Sequence, residues 1–243
     1  MSKVITILGG NGFIGSKCMN TLLKNIPDIK IYAISRSGNI KYPQNKKDSR
    51  VEVIKGDCLN PREFESIIKS STGIIHSIGV LFTNSNEKYH LINKETCLKV
   101  AQIADSSSNK PYIVYISAMR GIPFPLSLKY HGYIESKREC EQKLLQDFKN
   151  INPVILRPGF VKSEEKKWTV PIYYGVNLAE MGEKLLLDKM SPTIGEKLQI
   201  PSRGIELETL TTFASAGALG LLKSFQIYDN NYMTNEDNKV KLI

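Results

Sequence analysis

The sequence has no apolar run long enough to cross a bilayer as a helix, so we expect no transmembrane segment. The nearest approach, Thr209 to Leu222, is uncharged but short, and it contains several small and hydroxyl residues. We expect this stretch to form a packed helix, and a contact with a membrane surface is the alternative.

Cysteine clusters typical of metal sites are also missing. No CxxC pair and no nearby histidine cluster occurs, so we expect no metal. Buried free thiols in a reducing compartment are the plain interpretation of isolated cysteines. The four are Cys18, Cys58, Cys97 and Cys140.

The chain has fewer acidic than basic residues, 24 against 33, which gives a formal net charge of +9. This excess favours anionic partners, namely a nucleotide cofactor, an acidic protein surface or anionic lipid. The lysines are spread out and form no dense basic stripe, so we expect no nucleic-acid binding. We also find neither a secretory signal nor an Arg-rich presequence, since the first predicted strand begins at the third residue.

Predicted strands and helices alternate over the first two thirds of the 243 residues. This order predicts an α/β fold, a Rossmann-type doubly wound parallel sheet with a small C-terminal helical lobe. We expect residues 1–160 to form the NAD(P)-binding domain and residues 161–243 a cap lobe and tail. Helices over about Tyr173–Asp188 and Glu206–Lys223 would lie over the strand ends, and Asp229 to Ile243 would be a polar tail that something holds in place.

The first predicted strand runs directly into a glycine-rich turn and then a helix. Glycines allow the backbone to turn tightly and to approach a ligand closely. Free N–H groups at the helix N-terminus would then bind a pyrophosphate. The alternative is an ordinary strand–loop–helix turn without a ligand. The predicted contacts in this segment are Gly9, Asn11, Gly12, Phe13, Ile14 and Gly15.

The second predicted strand ends in Ser35 and Arg36, where this architecture meets the adenosine ribose. A carboxylate at this place would bind the 2′-hydroxyl of NAD and repel a 2′-phosphate. A hydroxyl and a guanidinium suit a phosphate instead, so we favour NADPH over NAD(H). The alternative is that Arg36 is a solvated loop residue.

Further cofactor contacts are expected where the third and fourth strands end. Asp57 would accept a hydrogen bond from the adenine amine, or alternatively would cap the turn before the next helix. Its neighbour Cys58 and the pair Ser77 and Ile78 complete the predicted cofactor wall. His76 lies inside an apolar strand, and we expect it to be a core residue rather than a catalyst.

Tyr133 and Lys137 are four residues apart, which places them on one face of a predicted helix. A neighbouring ammonium lowers the pKa of a phenol, and such a tyrosine can exchange the proton that accompanies hydride transfer. Lys137 could also bind the nicotinamide ribose, and Ser117 could polarise the substrate oxygen. The alternatives are that Tyr133 packs, that Lys137 is a surface charge or binds cofactor without catalysis, and that Ser117 only closes its strand.

Six motifs occur in order along the chain: GGNGFIG, GD, IIHSIG, YISA, YxxxK and LRPG. Together they resemble the extended and atypical short-chain dehydrogenase/reductase superfamily. The segments 133–141 and 155–160 most resemble the branch that holds the nucleotide-binding accessory subunit of mitochondrial respiratory complex I and a protein associated with ubiquinone biosynthesis. The resemblance covers about residues 3–160.

The resemblance implies a tightly held NADPH, a location on the matrix side of the mitochondrial inner membrane and a role near quinone chemistry. It implies that Gly9, Gly12 and Gly15 hold the pyrophosphate, Arg36 the 2′-phosphate and Asp57 the adenine, with Tyr133 and Lys137 on the nicotinamide side. The short region after Phe160 departs from relatives with a deep substrate lobe, and two prolines, at 123 and 125, could displace Ser117.

We therefore expect an accessory or assembly subunit of a large membrane-associated mitochondrial complex that holds NADPH without turnover. One alternative is a free-standing NADP-dependent reductase, dehydratase or epimerase that uses Tyr133. Another is a nucleotide sensor without catalysis or a stable partner.

Overall fold

The computed structural model describes residues 3–40, 47–81, 83–119, 131–163 and 204–242, together with residues 167, 170 and 174. The two prolines at 123 and 125 fall outside these residues, as does the helix predicted over 173–188 apart from residue 174.

Seven parallel strands form the central sheet in the order β3-β2-β1-β4-β5-β6-β9, and β7 and β8 form a separate parallel pair. The predicted doubly wound Rossmann-type sheet is therefore confirmed. The strands are β1 Lys3–Leu8, β2 Ile29–Ser35, β3 Val51–Lys55, β4 Gly73–His76, β5 Tyr112–Ile116, β6 Asn152–Arg157, β7 Val161–Lys162, β8 Ile205–Glu206 and β9 Gln226–Asp229.

Helices connect the strands and cover both faces of the sheet. They are α1 Phe13–Asn25, α2 Glu65–Ser70, α3 Asn86–Tyr89, α4 Thr96–Asp105, α5 His131–Gln146, α6 Leu207–Ala218 and α7 Asn230–Thr234. A 3₁₀ turn, Pro61–Phe64, precedes α2, and a π-helical turn, His90–Glu95, joins α3 to α4. No helix in the described part of the chain is long and apolar enough to span a bilayer.

Two apolar cores lie on opposite faces of the sheet. Helices α1 and α6 bury one face, where Met19 and Phe213 pack with residues of β1. Helices α2, α4 and α5 bury the other face, with Val100 and Leu144 among its core residues. The four cysteines are buried free thiols within these cores, as the sequence predicts.

The helix predicted over Glu206–Lys223 is present as α6, but its predicted position over the strand ends is wrong. It packs beside α1 on the sheet, and Thr21 Oγ1 lies 3.2 Å from Thr211 Oγ1. Burial explains this position, because most of the helix is apolar and nearly all of it is buried. The prediction that this stretch forms a packed helix is confirmed. The alternative, a contact with a membrane surface, is not supported, because the helix is packed against the sheet.

The predicted tail begins with ordered structure rather than a loose end. Strand β9 adds a seventh strand beside β6, and α7 follows it directly. Val240 and Leu242 then pack against the α1–α6 core, which holds this segment in place. The division at residue 160 stays a prediction, although β9 and α6 share the core of the first part.

Candidate functional site

The glycine loop joins β1 to α1 at the carboxyl edge of the sheet. Gly9 adopts φ +86°, a conformation that favours glycine, and its N–H donates 2.9 Å to Ile34 O. The N–H of Gly12 donates a 2.8 Å hydrogen bond to the carbonyl oxygen of Gly9. The loop is therefore folded tightly against the end of β2.

Gly15 has a packing role in the first turn of α1. A Cβ at this position would overlap the carbonyl oxygen of Gly9 and would lie 2.8 Å from Ser77 Oγ. Ser77 in turn donates 2.8 Å to Leu8 O. A side chain at Gly15 would therefore push α1 away from β1 and β4.

The N-terminus of α1 offers backbone donors to an anion. Gly12 caps the helix without a side-chain hydrogen bond, and the first turn contains no acidic residue. The first N–H groups of an α-helix have no acceptor within the helix, which is why a helix N-terminus can bind an anion such as a diphosphate. Asn11 Nδ2 donates 2.9 Å to Ser37 Oγ and ties this loop to the one after β2.

A cavity of about 430 Å³ opens beside the glycine loop. Nine of the predicted cofactor residues line it: Gly9, Asn11, Gly12, Ser35, Arg36, Asp57, Cys58, Ser77 and Ile78. Phe13, Ile14, Gly15, Tyr133, Lys137 and Ser117 are not among its lining residues. The structure thus brings together the adenosine and diphosphate half of the predicted site.

Ser35 and Arg36 form the cavity wall at the end of β2. Ser35 is 7% exposed, and its Oγ is buried without a hydrogen-bond partner in the described part of the chain. Arg36 is exposed, and the described residues give its guanidinium neither an ion pair nor a hydrogen bond. The exposed Arg36 guanidinium is a group that a phosphorylated ribose would engage, whereas the Ser35 hydroxyl is closed off from the cavity.

Asp57 has the capping role that the sequence left open, and it also lines the cavity. Its Oδ1 accepts 2.9 Å from Leu59 N, which caps the turn before the Pro61–Phe64 segment. The same residue lines the cavity, so the carboxylate stands at the position predicted for the adenine amine.

Sequence reasoning missed the outer wall of the cavity, which includes Lys88, Ile92 and Thr96. Lys88 lies on α3, which Ser85 caps by accepting 3.2 Å from Lys88 N. This serine at an N-cap position is the one sequence signal that could have located the helix. Its place against the cavity depends on the packing of the following π turn.

The prediction that Tyr133 has a lowered pKa is wrong. Burial of the phenol raises its pKa to about 12, and neighbouring Tyr89 adds to the rise while Arg138 opposes it. The rings of Tyr133 and Tyr89 meet edge to face at 6.1 Å. Desolvation therefore outweighs the attraction of nearby cations, and Tyr133 is a neutral phenol at neutral pH.

Lys137 lies on the same helix face as Tyr133, with its Nζ 5.9 Å from the Tyr133 ring centre. Its Nζ donates 2.6 Å to Ile116 O and would lie 3.4 Å from a Cβ at Gly79. Gly79 lines the cavity, so the amine stands just behind that wall. Burial lowers the pKa of Lys137 to about 8, which leaves part of the amine neutral near pH 8.

Ser117 belongs to a buried ionic cluster at the ends of β5 and β6. It donates to Glu141, a carboxylate that also accepts from Arg138 and Arg157. Arg138 Nη2 additionally donates 2.7 Å to Ala118 O. This arrangement favours the structural alternative for Ser117, in which the hydroxyl closes its strand end.

His76 is a core residue, as predicted. It is fully buried in β4, and its Nε2 lies 3.0 Å from Thr96 Oγ1. Burial, with the nearby Lys137 charge, lowers its pKa to about 3, so the ring is neutral. In the described part of the chain no group of three His, Cys, Asp or Glu could hold a metal ion.

Comparison with known proteins places this geometry in a family. Residues 9–179 match a protein family described as NAD(P)H-binding. The chain belongs to this family. The resemblance to the extended and atypical short-chain dehydrogenases/reductases is thereby confirmed, while the choice between NADPH and NADH is not decided.

One relative and two solved structures show how far the likeness extends. MIOREX complex component 2 of Saccharomyces cerevisiae is 25% identical, with 77% of this chain and 84% of that protein covered. Glucuronic acid dehydrogenase of Chromohalobacter salexigens has a TM-score of 0.63 at 14% identity, covering 95% of this chain and 77% of that one. The Bordetella bronchiseptica enzyme WbmF with NAD⁺ has a TM-score of 0.62 at 14% identity, covering 99% and 80%. At this level of identity, the similarity of this chain to the two solved structures shows a shared fold and no more.

Proposed function

We propose that this protein binds NADPH in the cavity beside the glycine loop and serves as an accessory or assembly subunit of a mitochondrial complex. The cofactor would have a mainly structural role there. The observation that carries the choice of NADPH is the exposed Arg36 guanidinium in the cavity wall, which has no ion pair among the described residues.

The residues present fit a dinucleotide along the whole adenosine half. The N-terminus of α1 would receive the diphosphate, Arg36 the phosphorylated ribose, and Asp57 the adenine amine. When bound, the nicotinamide supplies a hydride donor or acceptor. On that side the chain itself contributes Lys137, behind Gly79, to position the ribose.

Two observations support a cofactor that is held without rapid turnover. Burial raises the pKa of Tyr133 to about 12, which disfavours the phenol as a general base in the oxidation direction. Ser117 is engaged by Glu141 and is not free to polarise a substrate oxygen. Both observations support a mainly structural role of the cofactor over catalysis by Tyr133, Lys137 and Ser117.

The proposed mitochondrial role is supported by the yeast relative named as a component of the MIOREX complex. A respiratory-chain, complex I-like or ubiquinone-biosynthesis complex on the matrix side of the inner membrane is the finer proposal, and it rests on the sequence resemblance. Its partners would be the other subunits of that complex, with anionic lipid as a further contact.

The second candidate is a free-standing NADP-dependent reductase, dehydratase or epimerase. It is favoured by the shared helix face of Tyr133 and Lys137, where the amine lies 5.9 Å from the phenol ring centre. Substrate or cofactor could remodel this pair, because catalytic hydrogen bonds often tighten only in the complex.

The deciding experiment isolates the native protein and identifies both the nucleotide and the polypeptides that accompany it. We expect bound NADPH in near-stoichiometric amount, several co-purifying subunits and no steady oxidation of NADPH by added quinones or carbonyl compounds. Turnover at ordinary enzymatic rates that Tyr133→Phe abolishes would establish the second candidate instead. A protein that neither carries nor binds any nicotinamide nucleotide would refute both.

A further inference from the structure

The edge of the sheet opposite the cofactor cavity carries both of the strained residues in the described part of the chain. Lys110 has φ +47° and Phe225 has φ +56°, and they are the non-glycine residues with positive φ there. The two are neighbours across β6, since Asn152 Nδ2 donates 2.7 Å to Lys110 O and Phe225 N donates 2.6 Å to Pro153 O. A bulky side chain in this conformation is unfavourable and marks a candidate functional position.

The strain at Phe225 does not serve packing, because the side chain points outward. Phe225 is 50% exposed, and Leu221 in the same α6–β9 loop is 48% exposed. Apolar side chains of this size usually gain stability by burial inside the protein. Here the loop instead presents a leucine and a phenylalanine to the surroundings.

Three lysines lie in loops at the same edge of the sheet. Lys110 precedes β5, Lys149 precedes β6 and Lys223 lies between Leu221 and Phe225. All three are exposed, and the described residues give their ammonium groups no ion pair. We call these five residues the amino-edge surface.

The carboxylates close in sequence to the amino-edge surface are already engaged. Asp105 Oδ1 accepts from the backbone N–H groups of Lys149 at 3.0 Å and Asn150 at 2.6 Å. Asp147 Oδ2 lies 3.5 Å from Lys143 Nζ. Asp147 is balanced by Lys143, whereas Asp105 keeps its negative charge because backbone N–H groups are neutral donors. The three lysines still outnumber these carboxylates, so this edge has an excess of positive charge.

We propose that the amino-edge surface is a membrane-docking surface for anionic phospholipid. Leu221 and Phe225 would enter the interface between headgroups and acyl chains, while the three lysines contact the phosphates. This proposal assigns the lipid contact to a particular loop, and it holds whether or not the cavity binds a nucleotide.

The chemistry of the surface favours a bilayer over an acidic protein. A stable protein interface needs about 800 Å² from each partner, with a contiguous apolar centre. The amino-edge surface instead has two exposed apolar side chains in one loop and three exposed lysines in loops at the same sheet edge. This pattern suits shallow insertion into a charged interface, where each lysine adds to the attraction.

The test measures binding of the purified full chain to phosphatidylcholine vesicles with and without phosphatidylserine. We expect binding to the mixed vesicles, a loss at about 1 M salt, where charges are screened beyond about 3 Å, and little binding to phosphatidylcholine alone. The main variant is Phe225→Gly, because glycine adopts φ +56° without strain and the fold should be kept. Leu91→Ser, at a residue 41% exposed elsewhere, is the matched control.

We expect Phe225→Gly to weaken vesicle binding about tenfold with no loss of thermal stability, and Leu91→Ser to bind as the wild type does. The double variant Lys110→Gln/Lys149→Gln should also weaken binding, whereas Lys17→Gln/Lys24→Gln on α1 should not.

Absence of wild-type binding to the mixed vesicles would overturn the proposal. So would binding that depends on the lysines but is unchanged by Phe225→Gly, since charge alone would then explain it. Capture by an immobilised acidic peptide together with failure on vesicles would assign the surface to a protein partner instead.

Discussion

The amine of Lys137 donates a 2.6 Å hydrogen bond to the carbonyl oxygen of Ile116, the last residue of β5. This bond anchors α5 to the sheet end directly behind Gly79 and the cavity wall. The lysine of the YxxxK motif is therefore part of the fold as well as a candidate cofactor contact.

The burial of Lys137 predicts an unusual dependence of stability on pH. Its pKa falls from 10.5 to about 8 on folding, so between these values the unfolded chain binds more protons than the folded chain. The free energy of unfolding must then rise with pH across this window. We expect the free energy of unfolding of the wild type to rise by about 2 kcal/mol relative to that of Lys137→Met between about pH 7.5 and about pH 10. Urea unfolding of both proteins measures this change. A constant difference would show that the amine keeps its ordinary pKa.

Arg36 should determine the choice of cofactor. Replacing its guanidinium in Arg36→Gln removes a charge-assisted contact to the 2′-phosphate, so the Kd for NADPH should rise about 10-fold to 100-fold. The Kd for NADH should change about twofold or less, because NADH lacks that phosphate. Isothermal titration with both nucleotides measures this, and Arg62→Gln on the 3₁₀ turn is the control. Equal losses for the two nucleotides would remove the case for a phosphate clamp.

Gly15 should tolerate no side chain. In Gly15→Ala the new methyl group would meet the Gly9 carbonyl and Ser77 Oγ, both of which are held by hydrogen bonds. We expect a loss of about 1–3 kcal/mol in stability and weaker binding of any nicotinamide nucleotide. Differential scanning calorimetry and nucleotide titration give the two values. Lys17→Ala in the same helix should leave both near wild type, and a fully stable Gly15→Ala would contradict the packing role.

Glu141 should matter more for stability than Ser117. Glu141→Gln removes the buried carboxylate that pairs with the half-buried Arg138 and Arg157, which should destabilise the fold by about 3 kcal/mol. Ser117→Ala removes one hydroxyl donor, for which about 1 kcal/mol is expected. Chemical denaturation of both variants tests the order, and the reverse order would mean that Ser117 has a role beyond the cluster.

The sequence predicts β1, the glycine loop and α1 well, because their signals are local and consecutive. It also places Ser35, Arg36 and Asp57 at strand ends that meet at one edge, a consequence of parallel order. It could not predict the raised pKa of Tyr133, since that depends on burial against Tyr89, a residue from a different helix. The position of α6 was missed for a related reason, because an apolar helix does not specify which surface will bury it.

The pairing of α1 with α6 joins two segments far apart in the sequence, since their threonines are separated by 190 positions. During synthesis on the ribosome, the core between α1 and the sheet therefore lacks the part that α6 supplies until α6 has been made. Contacts of such long separation form slowly, because the intervening loop must close first. A nascent chain halted before α6 would expose this incomplete core to chaperones and proteases, even though every residue of the glycine loop had already been made.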